Sequence, residues 1–168
     1  GDPLDEQTFL GPLITAADAT RLEQWVNEAV AAGARVLCGG RRNGAFFDAT
    51  YLENVDPRQK ISCKEAFGPV ATLQPFDTFE EAVRVANDSA YGLQCGVFTQ
   101  NLAHAFYAYD ELDVGGVVLN DVPSFRVDNM PYGGVKNSGQ GREGVRYAIE
   151  EMTERKVLVL NRPGAVPS

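Results

Sequence analysis

The sequence has little of what most metal sites and histidine-based catalytic sites require. It contains a single histidine, His104, and three cysteines at unrelated spacings, Cys38, Cys63 and Cys95. A histidine metal site or a serine–histidine–aspartate triad therefore has little support, and the odd number of cysteines predicts neither a disulfide framework nor a zinc site. We expect no metal, and we expect the protein to reside in the reducing cytoplasm.

Long apolar runs and an excess of positive charge are also missing. No apolar run is long enough to span a bilayer, and we expect no signal peptide at the start of the sequence. The 168 residues include 15 basic and 23 acidic ones, for a formal net charge of −8. An acidic surface repels nucleic acid and anionic membranes, so we expect neither as a partner.

The spacing of apolar residues predicts alternating helices and strands. The first helix has apolar residues at three- and four-residue intervals from Leu22 to Val30, begins near the capping pair Thr15 and Asp18, and ends near Gly33. Further helices are predicted at 78–87, 101–112 and 142–152, strands at 35–38, 70–76, 93–99, 114–120 and 156–160, and an extended segment at 46–55. This order predicts an α/β fold, a three-layer sandwich around a mainly parallel sheet.

Three glycines, Gly139, Gly141 and Gly144, fit the pattern G-x-G-x-x-G before a predicted helix. One interpretation is a phosphate-binding loop for a dinucleotide. However, the pattern follows a polar loop rather than a strand, and the chain ends before an acidic residue for the ribose, about 20 positions later, is reached. The sequence therefore favours the alternative, glycines that let a loop pack tightly before the helix.

The cysteines and the histidine have structural interpretations. Cys63 and Glu65 would share one face of an extended segment, where a carboxylate disfavours the thiolate that nucleophilic attack requires. We therefore do not expect Cys63 to be a nucleophile. Cys38 and Cys95 lie in apolar predicted strands and are interpreted as small buried residues. His104 is interpreted as a histidine on a helix surface.

A loop rich in bulky apolar residues follows the strand predicted at 114–120. It includes Phe125 and Tyr132, with Arg126 among them. Ligands of open parallel sheets bind at the carboxyl ends of the strands. The loop is therefore a candidate binding site, and the alternative is a loop whose aromatic residues cover the core.

Several segments, read in order, resemble the aldehyde dehydrogenase superfamily. Residues 65–70 match its E-x-F-G-P-V signature, and residues 131–143 match its P-[FY]-G-G-x-K-x-S-G-x-G-R-E run. The remaining similar segments are residues 1–5, 11–14, 87, 91–93 and 97–99. The resemblance covers nearly the whole sequence, with the segments in the family's order. The sequence most resembles the subgroups that act on lactaldehyde, glyceraldehyde phosphate or phosphonoacetaldehyde.

The resemblance implies roles for particular residues. Glu65 would accept hydrogen bonds from the ribose on the nicotinamide side of NAD or NADP, and Phe67 would pack beside the nicotinamide. Phe125 and Tyr132 would line the substrate tunnel, and Arg126 would meet an anionic substrate.

The resemblance also implies what this sequence does not contribute. The catalytic cysteine and the general-base glutamate of the family are expected upstream, so no catalytic residue is expected here. Residues 1–153 would be a partial catalytic domain, 154–161 a terminal strand that joins a homo-oligomer, and 162–168 a tail. We expect the 168-residue chain to be inactive alone and to hold no cofactor tightly. The alternative is a non-enzymatic oligomerisation or partner-binding module derived from the family.

Overall fold

A computed structural model of the protein describes residues 1–161 and residue 164, so the tail expected at 162–168 lies, apart from Gly164, outside the described residues. The chain divides into two compact units, Gly1–Thr78 and a second that begins at Phe79. No stretch rich in proline or serine marks this boundary in the sequence. In the described part of the chain, no helix has both the length and the apolar character needed to cross a membrane.

The first unit begins with helix α1, Ala16–Ala31, whose ends follow from local side chains. The Thr15 hydroxyl oxygen accepts a hydrogen bond from the Asp18 backbone N–H at 3.1 Å, as the capping pair predicts. Beyond the other end, Gly33 has a φ of +108°, a conformation that glycine adopts without steric cost. The predicted bounds of this helix are confirmed.

The remaining elements of the first unit are short. They are β1 Arg35–Cys38, β2 Arg42–Asn43, β3 Phe46–Phe47, β4 Thr50–Glu53, the helix α2 Lys60–Cys63, and β5 Val70–Leu73. Strand β4 lies between β1, which is antiparallel to it, and β5, which is parallel to it. Strands β2 and β3 form a separate antiparallel pair.

The core of the first unit forms between α1 and this sheet. Leu22 of α1 and Leu52 of β4 have no exposed surface, and Val26, Phe47 and Ile61 are buried with them. Each buried leucine contributes roughly 1.5–3 kcal/mol relative to an exposed one. The helix and the sheet are therefore joined by the apolar face that the sequence periodicity predicts.

The second unit contains α3 Phe79–Asn87, β6 Tyr91–Gly92, β7 Gln94–Val97, α4 Leu102–Glu111, β8 Gly116–Leu119, β9 Val135–Lys136 and α5 Val145–Met152. Strands β7 and β8 are parallel, with α4 as the connection between them, and β6 is antiparallel to β9. The Asn101 side chain caps α4 by accepting from the Ala103 backbone N–H at 2.9 Å. The core of this unit consists of Val83, Val97, Ala108 and Leu112.

The α/β class is confirmed, but the distribution of strands differs from the prediction. Among the described residues the parallel pairs are β4–β5 and β7–β8, and these belong to different sheets. The order of elements predicts that helix α3 connects two strands of one sheet. In the structure the strands before and after α3 belong to different sheets. Periodicity identifies a strand, but it does not identify the neighbour with which the strand pairs.

The strand predicted at 156–160 has no strand partner among the described residues, and the side chains of Val157, Leu158, Val159 and Leu160 are between 79% and 89% exposed. A strand requires a neighbour that completes its backbone hydrogen bonds. Helix α5 also begins at Val145 rather than at the predicted 142, because residues 142 and 143 belong to the preceding loop.

Candidate functional site

The loop that follows β8 is held against the start of β7. The side-chain Nε2 of Gln94 donates hydrogen bonds to the carbonyl oxygens of Pro123 and Phe125, at 2.7 and 2.8 Å. At the carboxyl end of β8, the Asn120 side chain accepts from the Thr99 backbone N–H at 2.9 Å. The loop therefore begins at the carboxyl end of β8, where the sequence predicts a ligand site, and runs back along β7 to Gln94, which pairs with Gly116 at the amino ends of the two strands.

Tyr132 and Glu143 face each other across an isolated antiparallel bridge. The Tyr132 N–H donates to the Glu143 carbonyl at 3.2 Å, and the Glu143 N–H donates to the Tyr132 carbonyl at 2.6 Å. Directly opposite residues of an antiparallel pair project their side chains to the same side. The bridge therefore presents an aromatic ring and a carboxylate together.

Arg126 lies against both of these side chains. Its guanidinium carbon is 4.8 Å from the centre of the Tyr132 ring, and its Nη2 is 2.7 Å from Oε2 of Glu143. Two predicted substrate residues, Arg126 and Tyr132, are thus in contact, while the Phe125 side chain is about half exposed in the same loop. Sequence reasoning did not identify Glu143 as part of this cluster, and the only signal was its place in the G-R-E motif.

The segment that carries Tyr132 is fixed by residues that are distant in sequence. Lys136 Nζ donates to the Asn87 carbonyl at 2.9 Å and lies 3.2 Å from a carboxylate oxygen of Asp113. The Ser138 hydroxyl oxygen accepts from the Gly92 N–H at 3.0 Å. Hydrogen bonds therefore directly join residues 87–92 and residues 131–139, two of the segments that resemble the family.

The glycine pattern forms a tight loop. Gly139, Gly141 and Gly144 all have positive φ, and the Glu151 carboxylate accepts from the Arg142 backbone N–H at 2.9 Å. A Cβ on Gly141 would lie 2.7 Å from the oxygens of that carboxylate. Because a negative charge already occupies this loop, its geometry favours tight packing over phosphate binding.

A cavity of about 320 Å³ lies between the glycine loop and helix α5. Arg142 is one of its walls, and its Nη1 donates to the carbonyls of Gly134 and Gly141 at 3.0 and 2.7 Å. Tyr132, Glu143 and Met152 also line it. The bridge residues therefore line this cavity and also contact Arg126.

Glu65 and Phe67, the predicted cofactor residues, lie in the first unit, whereas the predicted substrate residues lie in the second. Both side chains are exposed, and Phe67 has a φ of +52°. The residue between them is held by a hydrogen bond from Arg21 Nη2 to the Ala66 carbonyl at 3.0 Å. A bulky residue rarely adopts a positive φ, and such conformations cluster at functional sites.

The cysteine interpretations are only partly correct. Cys63 ends the helix α2, so the extended geometry expected for it is wrong, and its Sγ lies 3.5 Å from the Arg58 carbonyl oxygen. Cys38 is exposed rather than buried, as are all four residues of β1, an edge strand of its sheet. Cys95 is half-buried beside the second core, and burial raises the pKa of its thiol.

His104 is half-buried on α4, where its ring stacks on Phe79 with centroids 4.4 Å apart and planes 6° apart. Its surroundings are therefore aromatic. In the described part of the chain, no group of three or more histidine, cysteine, aspartate or glutamate side chains is placed to bind a metal ion.

The sequence matches the model of the aldehyde dehydrogenase family over residues 1–158. The chain belongs to this family. It is 50% identical to the 3-sulfolactaldehyde dehydrogenase of Priestia megaterium, over 96% of this chain and 34% of that enzyme. It is 44% identical to the lactaldehyde dehydrogenase of Methanococcus maripaludis, over 96% of this chain and 34% of that enzyme. This aldehyde dehydrogenase chain thus spans about a third of the length of the relatives it matches.

Solved structures of aldehyde dehydrogenases give the same result. Aldehyde dehydrogenase 21 of Physcomitrella patens, in complex with the reaction product succinate, superposes with a TM-score of 0.95 at 49% identity, over 99% of this chain and 34% of that one. The glyceraldehyde-3-phosphate dehydrogenase GapN of Methanocaldococcus jannaschii, complexed with NADP, superposes with a TM-score of 0.86 at 45% identity, over 90% of this chain and 33% of that one. The family and the fold that the motifs predict are therefore confirmed.

Proposed function

We propose that this chain is the carboxy-terminal portion of a cytoplasmic NAD(P)-dependent aldehyde dehydrogenase that oxidises a short anionic aldehyde to the carboxylic acid. The observation that carries the proposal is the position of Arg126, whose guanidinium carbon lies 4.8 Å from the centre of the Tyr132 ring in the loop that follows β8. A guanidinium recognises carboxylate, sulfonate or phosphate groups by charge and by paired N–H donors. Relatives are named for 3-sulfolactaldehyde, aspartate semialdehyde and glyceraldehyde 3-phosphate, which all carry such a group.

The chain's own residues would bind and orient the reactants. Glu65 would accept both ribose hydroxyls of the cofactor, and Phe67 would restrict the nicotinamide ring. The fit is supported by their exposure, and by the backbone of Ala66, which Arg21 holds. When bound, NAD⁺ or NADP⁺ accepts the hydride that the substrate loses.

The reacting groups would come from another part of the enzyme. In our proposal, a cysteine and a general-base glutamate outside this chain form the thiohemiacetal and then hydrolyse the thioester. The three cysteines of this chain offer no substitute. Cys63 Sγ is directed to the Arg58 carbonyl, Cys38 lies on an edge strand, and burial raises the pKa of Cys95.

An activity assay tests this division of labour. We expect the purified 168-residue chain to form no NADH or NADPH from succinate semialdehyde with either cofactor. Formation of NADH that Cys63→Ala abolishes, while Cys38→Ala does not, would contradict the proposal and identify Cys63 as a nucleophile.

Kinetics of a longer polypeptide that includes the family's catalytic cysteine test the substrate class. Arg126→Gln removes the charged donor, so we expect kcat/KM for succinate semialdehyde to fall roughly tenfold relative to kcat/KM for a neutral aldehyde such as butanal. Arg146→Gln is the matched control, since Arg146 lies on the exposed side of α5 and pairs with Glu150. Equal losses for both aldehydes in the Arg126 variant would reject an anionic substrate.

A second candidate function is a non-enzymatic oligomerisation module, and exposed residues 157–160 favour it. An unpaired apolar segment readily adds to the sheet of a second copy. In the enzyme, the same segment would join subunits of a homo-oligomer. The gene distinguishes the two candidates. The enzyme requires an in-frame upstream segment that carries the family's catalytic cysteine, whereas the module requires a stop codon there and a 168-residue product in cells.

A further inference from the structure

The guanidinium of Arg126 is held on two sides but is not enclosed. The centre of the Tyr132 ring lies 4.8 Å from the guanidinium carbon, and Glu143 pairs with Nη2. The side chains of Arg126 and Glu143 remain 46% and 61% exposed. Because a guanidinium has five N–H donors, this arrangement leaves other donors available to a ligand.

We propose that Glu143 is a specificity-determining residue that competes with the anionic group of the substrate for Arg126. This inference rests on the proposed function, in which Arg126 recognises that group. In the structure, the carboxylate of Glu143 already neutralises the guanidinium at 2.7 Å. An arriving anion must share Arg126 with this carboxylate or displace it, and in either case the two negative charges repel each other.

The backbone bridge between Tyr132 and Glu143 brings the competing carboxylate to Arg126. Glu143 and Tyr132 exchange two backbone hydrogen bonds, so their side chains leave the same side of the bridge, where both contact Arg126. The ring restrains the guanidinium from its face without adding charge. Glu143 therefore lowers the affinity for anions, while Tyr132 keeps Arg126 in position, and neutral aldehydes are admitted more readily than an unpaired arginine would allow.

The test uses succinate as a dicarboxylate probe of the 168-residue chain, with binding followed by NMR at the Arg126 side-chain N–H and the Tyr132 backbone N–H. Glu143→Gln keeps a hydrogen-bonding side chain of the same size but removes the charge. Since an exposed ion pair contributes only modestly, we expect succinate to bind roughly two- to fivefold more tightly. The gain should shrink at high salt, and Arg126→Gln should abolish binding.

Glu150→Gln is the matched control. It also removes one negative charge from the second unit, on α5, where Glu150 pairs with Arg146 and Arg155, and we expect no change in succinate binding. Equal or weaker binding by Glu143→Gln, an equal gain in the Glu150 variant, or no binding by either the native chain or Glu143→Gln would overturn the inference. Circular dichroism of each variant verifies that it is folded.

This readout separates the inference from the proposed function, because succinate binding requires neither a nucleophile nor a cofactor. Tighter binding by Glu143→Gln would support the competition even if the longer polypeptide oxidised no aldehyde. If that polypeptide is active, the same substitution should raise the ratio of kcat/KM for succinate semialdehyde to that for butanal by a similar factor. A ratio that falls or stays unchanged would overturn the role of Glu143 and leave the aldehyde oxidation established.

Discussion

The side-chain amide of Gln94 donates a hydrogen bond to the Phe125 carbonyl oxygen at 2.8 Å, and the same nitrogen donates to Pro123 at 2.7 Å. These two bonds hold the loop that carries Arg126. We expect Gln94→Met to destabilise the observed conformation of this loop by about 1–2 kcal/mol, since each hydrogen bond contributes about 1 kcal/mol. Hydrogen exchange of the Phe125 and Met130 backbone N–H groups should accelerate about tenfold. Exposed Gln100→Met is the control, and equal exchange rates in the two variants would contradict the anchoring role.

Leu22 is completely buried against the sheet of the first unit. We expect Leu22→Ala to reduce the free energy of unfolding by about 2–5 kcal/mol, because it loses apolar burial and leaves a cavity. Leu4→Ala, at a side chain that is 91% exposed, should change it by less than about 0.5 kcal/mol. Fluorescence of Trp25, the single tryptophan, reports denaturant unfolding of this unit. Similar losses for both variants would argue against the described core.

Asp56 and Arg58 form a pair whose effect can be measured by titration. The Arg58 side chain and its backbone N–H donate to the Asp56 carboxylate, which lowers the pKa of Asp56 from 3.8 to about 2. Because the folded pKa is depressed, the pair stabilises the fold above pH 3.8 and this contribution disappears as the pH falls towards 2. Arg58→Gln should move the midpoint, observed by NMR at the Asp56 carboxyl carbon, upward towards 3.8. An unchanged midpoint would show that the backbone N–H alone is responsible.

The three cysteines should react with thiol reagents in a defined order. Cys38 and Cys63 are exposed, whereas Cys95 is half-buried and burial raises its pKa. We expect a maleimide to label Cys38 and Cys63 first, because the thiolate is the reactive form and must be accessible. Mass spectrometry of digested protein measures the order, and in denaturant the three sites should react alike. Early labelling of Cys95 would contradict its placement beside the core.

Local signals in the sequence predict the helices well. Thr15 and Asn101 cap α1 and α4 as expected, because a short polar side chain satisfies free N–H groups within its own turn. Gly33 follows the end of α1 for a similarly local reason. Strand pairing is different, since β5 and β7 have equivalent patterns but belong to separate sheets. Cys38 is exposed with the other residues of β1, and no local pattern specifies this exposure.

The candidate site shows the same division. The motifs in the sequence contain Glu65, Phe67 and Tyr132, and they predict the family to which the chain belongs. Phe125 and Arg126 lie in the apolar loop before the second motif, and the resemblance implies their roles. The roles of those residues stay predictions.

The sequence alone determined the capped starts of α1 and α4, the motifs and the acidic balance of charge, since these depend on neighbouring residues or on counting. Only the tertiary structure brought Glu143 to Arg126 and Lys136 to Asn87. Lys136 and Asn87 are 49 positions apart in the sequence. Such contacts depend on how β9 and the Tyr132–Glu143 bridge close long loops, and no periodicity within either segment encodes them.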